Sequence, residues 1–379
     1  MLSDTRSTRR FLIALSALLF AAQMAILAVE IPRAVRGPSE FRRFYEAGGR
    51  VRSGHLREMY GASAQSDSEA GSAAAEHAGP RFDRPAYEAL LFVPFAMLGY
   101  PAAYACFLVF NLALLGLGIR LMDPYLLRIE NVVRWMPAAV FLCFGPVALA
   151  LAAGADSIVL LTLVIAAAVL YYRDRDVSAG VCLGLTVFNP LFVGTIAVLM
   201  MFWRRWRLAA ACGVAAAGCL LVSRWMTGAG ALGAWARGAI LWSVAPSSWA
   251  AGGPNLWCLF RSVAGSHADW AQAATAVCSA GLLGWVTTRP QNFALATLAA
   301  ALVAYRGTIY DAVLLVLPMA MGFDYRVEAT SGNQLFSKYV VIALFALPTL
   351  LFFLHGSYCS VALVALALLR PLRSTGSSN

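Results

Sequence analysis

The sequence is short of charge. Only 13% of its 379 residues are Asp, Glu, Lys or Arg, while 60% are hydrophobic. A soluble chain carries roughly twice that charged fraction. Lysine is almost missing. Lys338 is the single example, so the net charge of +10 is an arginine charge. Those arginines are scattered among the loops and not gathered on one face, so no nucleic-acid partner is expected. Sustained period-2 alternation of apolar and polar residues is missing too, which excludes a membrane β-barrel. The eight cysteines contain no CxxC pair, and most lie inside apolar runs. They read as small core residues and not as a metal site or a disulfide framework. The chain has no HExxH and no Walker loop, so metal-dependent and ATPase readings lose support, and neither a metal nor another cofactor is expected.

What is present is a succession of long apolar segments. The class is all-α: a polytopic membrane protein with about ten to twelve membrane helices in a single integral membrane domain, 1–379. The first run, 11–31, follows Arg6, Arg9 and Arg10. It is too long for a signal-peptide core and reads as an uncleaved first helix ending at Pro32. Arginines near helix ends set the orientation: both termini cytoplasmic, and 33–85 a large first extracytoplasmic loop. The second half of that loop, 61–79, is small and polar and reads as mobile. Full-length spans are expected over 102–122, 136–153 and 208–226. The segment 177–203 is odd. Inside-type charge flanks it on both sides, RDRD at 173–176 and RRWR at 204–207. Two half-helices turning near Asn189-Pro190 would leave both clusters on one side; a single tilted span is the competing reading. Such a break at membrane depth requires protein or a cavity around it.

Polar chemistry concentrates in 39–60, which carries Glu40, Glu46, Glu58 and His55 beside Arg42, Arg43, Arg50, Arg52 and Arg57. A carboxylate can take a proton from a hydroxyl, and guanidiniums hold phosphate oxygens in bidentate fashion. The bland alternative is an amphipathic helix resting on headgroups. By topology, other outward-facing ionisable groups join this stretch: Asp83, Arg84, Asp156, Arg261, Arg306 and Asp311. Ionisable groups at the membrane are costly and are functional candidates by default. Asp156 and Asp311 each precede an apolar run, so helix capping is a real alternative for both. The tryptophans of the 227–261 region suit a membrane interface.

With these residues laid out, a resemblance follows. EFRRFYEAGGRVRSG at 40–54 is similar to D-F-x-x-[FY]-Y-x-A-[GA]-x-x-[VL]-x-x-G. GADSIVLL at 154–161 is similar to G-Q-D-S-x-x-L-L. AGVCLGLTVFN at 179–189 is similar to A-G-x-x-L-G-L-x-x-[FY]-K. RPAYEALLFVPFAMLGYPAAY, GPNLWCLF and YDAVLLVLPM resemble further segments in the same order. The set, spread over 40–318, resembles glycosyltransferase family 87, also described as domain-of-unknown-function family 2029, among the GT-C membrane glycosyltransferases.

The resemblance implies a GT-C-like bundle in a bacterial-type plasma membrane with an extracytoplasmic active face. It implies sugar transfer, often of mannose, with inversion, from a polyprenyl-phosphate donor to a glycan or glycolipid acceptor. The family's acid maps onto Glu40 as catalytic base, with Asp156 and Asp311 as alternative acids. Arg42, Arg43, Tyr45, Arg84, Asn189, Asn255, Arg261 and Arg306 are the candidates for donor phosphate and substrate. Four positions depart from the family's pattern: Glu40 replaces aspartate, Ala155 glutamine, Asn189 lysine and Trp257 arginine. These departures leave a second reading, a catalytically degenerate binder of lipid-linked saccharide on the same fold. A transporter is a third, weakened because only one broken segment is apparent.

Overall fold

The computed structural model describes residues 2–37, 39–59, 82–228, 230–233, 235–236, 253–264, 267–289, 292–304, 308–324, 332–354 and 359–367. Among them every regular element is helical. The polar 61–79 segment, Arg306 and His355 lie outside the described residues.

Helix α1 (Leu2–Arg36) buries Leu12, Leu19 and Ile26, seven residues apart, and leaves Leu18 and Phe20 exposed. A seam of this spacing fits a neighbouring helix, while the other faces suit lipid. Pro32 does not end the helix. It lies one turn from the end, so the bond it removes is among the last, and the cost stays local. Gln23, buried in the seam, donates to the Cys143 carbonyl at 3.2 Å and to Thr349 Oγ1 at 2.9 Å. This ties α1 to the bundle where apolar packing alone gives little specificity.

After α2 (Glu40–Ser53) and α3 (Ala86–Phe92), the 23-residue α4 (Tyr100–Met122) is long enough to span. It exposes Val109, Leu112 and Leu117. A short α5 (Leu127–Val132) follows, with Asp324 Oδ1 accepting from the Ile129 backbone N–H at 2.8 Å. The expected single span over 136–153 is two helices, α6 (Met136–Leu142) and α7 (Gly145–Ala153), bent by 58°. Pro146 at the start of α7 supplies no N–H to continue the ladder. Helix α8 (Ser157–Tyr172) and α7 are apolar almost all round and largely buried, so they form the centre of the bundle.

The segment 177–203 is α9 (Asp176–Gly184), a turn, and α10 (Pro190–Phe202). Arg205 reaches Asp174 at 3.0 Å and Asp176 at 3.4 Å, so the two charged flanks meet at one end. Helix α11 (Trp206–Thr227) packs along α9. Gly180 permits this: a Cβ there would sit 2.3 Å from the Leu208 carbonyl oxygen, and one at Gly184 2.5 Å from that of Cys212. Small residues four apart let the backbones touch.

The remaining described helices are α12 (Leu256–Ala264), α13 (Ala268–Thr287), α14 (Phe293–Val303), α15 (Val316–Asp324), α16 (Gly332–Phe353) and α17 (Cys359–Ala367). Among the described residues three helices are long and apolar enough to cross a membrane, four if α6 and α7 count as one bent span, so the expected ten to twelve are not all seen as full-length spans. Several central helices are short, as α8, α10 and α14 are. The cysteine reading also needs correction. Cys258 and Cys359 form a disulfide between α12 and α17, with Cα atoms 5.3 Å apart. The pair is 101 residues apart in sequence, so spacing gave no sign of it.

Candidate active site

The site begins with the capping of α2. Ser39 Oγ accepts from the Arg42 backbone N–H at 3.2 Å, and Gly54, at φ 77°, closes the other end. Between the caps Phe41, Phe44, Ala47 and Gly48 share one buried face. Phe44 stacks on Phe92 with centroids 4.6 Å apart, and Phe41 on Phe107 at 5.0 Å. So α2 is not merely laid on headgroups; its apolar face is built into the protein. Two glycines admit it. A Cβ on Gly48 would meet the Phe92 carbonyl oxygen at 2.7 Å, and one on Gly154 would meet Phe41 Cβ at 2.6 Å. Gly154 also has φ 64°, which suits a residue without Cβ.

The Phe41–Gly154 contact brings Glu40 toward Asp156. Glu40 pairs with Arg43, and Arg43 reaches Asp83 at 3.0 Å. Arg84 pairs with Asp156 at 3.0 Å. Glu40 is close enough to Asp156, Asp83 and Arg84 for each to act on its ionisation. Burial is the largest influence on Glu40 and pushes its carboxyl above the ordinary glutamate range; Arg43 opposes it. A carboxylate with raised affinity for a proton is a better general base.

Arg84 and Tyr87 hold the turn between α9 and α10. Arg84 Nη1 donates to the Phe188 carbonyl at 3.1 Å. Tyr87 Oη donates to the Leu185 carbonyl at 2.7 Å and accepts from the Phe188 N–H at 3.2 Å. Backbone groups freed by the turn thus find partners in side chains from the end of the first loop. Next to this turn, Asn189 lines a narrow crevice with Phe192, Pro254, Asn255, Asp311 and Leu315. Ser157 Oγ donates to Asp311 Oδ1 at 3.2 Å, linking the crevice to the acid cluster.

The candidates therefore fall into groups. Glu40, Arg43, Arg84 and Asp156 come together, with Asp83. Asn189, Asn255 and Asp311 come together on the crevice. Asn255 Oδ1 accepts from the Cys258 N–H at 2.8 Å and caps α12. Asp311 Oδ2 accepts from the Thr308 N–H at 2.9 Å, a capping bond to its own turn. Asp156 precedes α8 without a side-chain capping bond. The Tyr45 hydroxyl donates to the Leu98 carbonyl at 2.8 Å and fastens α2 to the turn after α3. Arg42 lies over the Tyr100 ring, 4.5 Å from its centroid. Arg261 is half-buried on α12. Trp235 is no simple interface residue, because its indole N–H donates to the Asp83 carbonyl at 3.0 Å.

Sequence reasoning missed Glu88 and Tyr87. Both lie in the first turn of α3, within the RPAYEALLF stretch. A glutamate inside an otherwise apolar run was the available signal for Glu88.

No curated protein and no solved structure matches the chain. The family model for Glycosyltransferase family 87 matches residues 85–318. That span takes in Arg84's neighbours on α3, the Asp156 turn, the α9–α10 turn and the Asp311 crevice, and the chain belongs to glycosyltransferase family 87.

Proposed function

We propose that this membrane glycosyltransferase moves a sugar, mannose on the family resemblance, from a polyprenyl-phosphate donor to a glycan or glycolipid hydroxyl on the extracytoplasmic face, with inversion. Glu40 takes the proton of the acceptor hydroxyl. The acceptor oxygen bonds to the anomeric carbon as the bond from that carbon to the phosphate oxygen breaks. Polyprenyl phosphate leaves with the electron pair. Arg42 lies over an aromatic face and pairs with no carboxylate among the described residues, so it can turn its N–H edge to the phosphate. The observation that carries this reading is the placement of half-buried Glu40 in one cluster with Asp156 and Arg84.

One observation favours the degenerate reading instead. Arg43 is taken by Glu40 and Asp83, and Arg84 by Asp156 and the Phe188 carbonyl. Each must exchange a partner before it can hold a phosphate.

Glu40→Gln keeps size and hydrogen bonding but not the proton acceptor. Transfer from a polyprenyl-phosphate sugar is expected to fall by about two to four orders of magnitude. Unchanged transfer would remove Glu40 from the mechanism. Donor lipid that binds to a wild type showing no transfer with any polyprenyl-phosphate sugar would establish the degenerate reading.

A further inference from the structure

Cys258 and Cys359 have no part in the proposed reaction, yet they are set apart from the other cysteines. They are 1% and 3% exposed and are joined across 101 residues, while the other six cysteines are free. Each stands at the start of a helix. Cys258 is in the first turn of α12, and Cys359 is the first residue of α17. Helix α12 has only nine residues, too few to hold its own shape without outside ties.

Contacts show which end of the bundle this is. The Cys258 N–H donates to Asn255 Oδ1 at 2.8 Å, and the Leu259 N–H to the Asn255 carbonyl at 3.1 Å. Pro254 and Asn255, just before α12, line the crevice together with Asn189 and Asp311. Ser157 Oγ donates to Asp311 Oδ1 at 3.2 Å, beside Asp156. The disulfide therefore belongs to the Asp156 end of α8, and Arg173 follows the other end. Within the crevice Asn189 is only 7% exposed, and its side chain makes no capping bond to α10. Its amide is thus open to whatever the crevice receives, and the place of Asn255 sets how wide the crevice is.

We infer that the Cys258–Cys359 bond is made on the extracytoplasmic side, and that it clamps the start of α12 so that Asn255 stands as a fixed wall of the crevice. Cytoplasmic thiols are kept reduced, so a lasting disulfide marks the oxidising side of the membrane. This puts the crevice and the acid cluster outside by a route independent of the arginines. In forming the bond the two thiols lose two protons and two electrons. The disulfide of an extracytoplasmic thiol oxidase takes up both pairs and becomes a dithiol. Cys258 and Cys359 are positioning residues. Their role does not depend on glycosyl transfer, because it concerns how the crevice is built.

Thiol counts and hydrogen exchange on the full chain test this. In cells with an active extracytoplasmic thiol oxidase, quenched in acid and denatured, the six free cysteines should alkylate before reduction, and Cys258 and Cys359 only after it. In cells lacking that oxidase all of them should alkylate before reduction. Alkylation of Cys258 and Cys359 before reduction in the first cells overturns the bond. Their protection in the second overturns its extracytoplasmic origin. Exchange in the purified protein reads the clamp. Alanine suits both buried positions, since it brings no polar group. Cys258→Ala, Cys359→Ala and the double variant should raise exchange at the amides of 258 and 259 about tenfold or more, all by the same factor, because either substitution removes the whole bond. The amides of 209–212, on α11, should exchange as in the wild type. Unchanged exchange at 258 and 259 overturns the clamp. So does a double variant whose effect is the product of the two single effects, or a rise that extends to 209–212. If the variants do not fold, the wild type purified from the two kinds of cell decides: faster exchange at 258 and 259 in the reduced chain supports the clamp, and equal exchange overturns it. None of these readouts requires transferase activity, so a failure of the proposed reaction leaves them intact.

Discussion

Gly154 shows how much a single residue decides here. It ends α7 at positive φ and leaves room for Phe41 in the same place. Without that contact Glu40 and Asp156 would have no reason to meet. The ionisation of Glu40 then follows from where Phe41 puts it. Burial raises its carboxyl and Arg43 lowers it. A base must be ionised, so transfer rises with pH through that value. The acidic limb of kcat/KM is expected above the ordinary glutamate range, and Arg43→Gln should move the limb further up by removing the opposing charge. A limb that stays in place in Arg43→Gln would show that the titrating group is not Glu40.

Among elements, the turn between α9 and α10 depends on side chains from outside its own segment. Tyr87 satisfies one carbonyl and one N–H with a single hydroxyl. Tyr87→Phe takes the hydroxyl from both backbone groups; water can reach the exposed Leu185 carbonyl, but the part-buried Phe188 N–H loses its partner, and an unsatisfied buried group costs about 1–3 kcal/mol. A clear drop in unfolding temperature is expected in detergent. Tyr45→Phe is the control: its hydroxyl bonds Leu98 at an exposed position, where water can replace it, and it should shift the midpoint much less. Equal shifts in the two variants would mean that the Tyr87 hydroxyl does not hold the turn. Matching charge at the two ends of 177–203 made this broken segment legible. The partners of its tip were not, because Arg84 and Tyr87 lie about a hundred residues earlier in the chain.

Across the whole molecule, the two ends are chemically distinct. Asp156 sits at one end of α8, and Arg173 follows its other end, about 24 Å away at 1.5 Å per residue. Arg205 gathers Asp174 and Asp176 at the Arg173 end. By the positive-inside rule that end is expected to be cytoplasmic. Cysteines introduced one at a time, in a background lacking the free cysteines, are expected to report this. Position 204 should react with an impermeant maleimide only after the membrane is opened, and position 39 in intact cells. Labelling of position 204 in intact cells would reverse the orientation and remove an extracytoplasmic active face.

Composition alone determined the class, since a chain this apolar and this poor in charge has no stable place but a bilayer. Local sequence determined α2 as well: a serine cap, a glycine end and phenylalanines one turn apart set a helix with one apolar face. Ordered motifs were enough to suggest the family. Tertiary structure decided what local pattern could not carry. It bent 136–153 at a break, joined Cys258 to Cys359, fastened Tyr45 to the Leu98 carbonyl, and set Arg84 between Asp156 and the Phe188 carbonyl. In each case the partner is distant in sequence or the geometry is set by a neighbouring helix. In an apolar bundle periodicity says which face is buried, but shape and the need to satisfy polar groups choose what it meets.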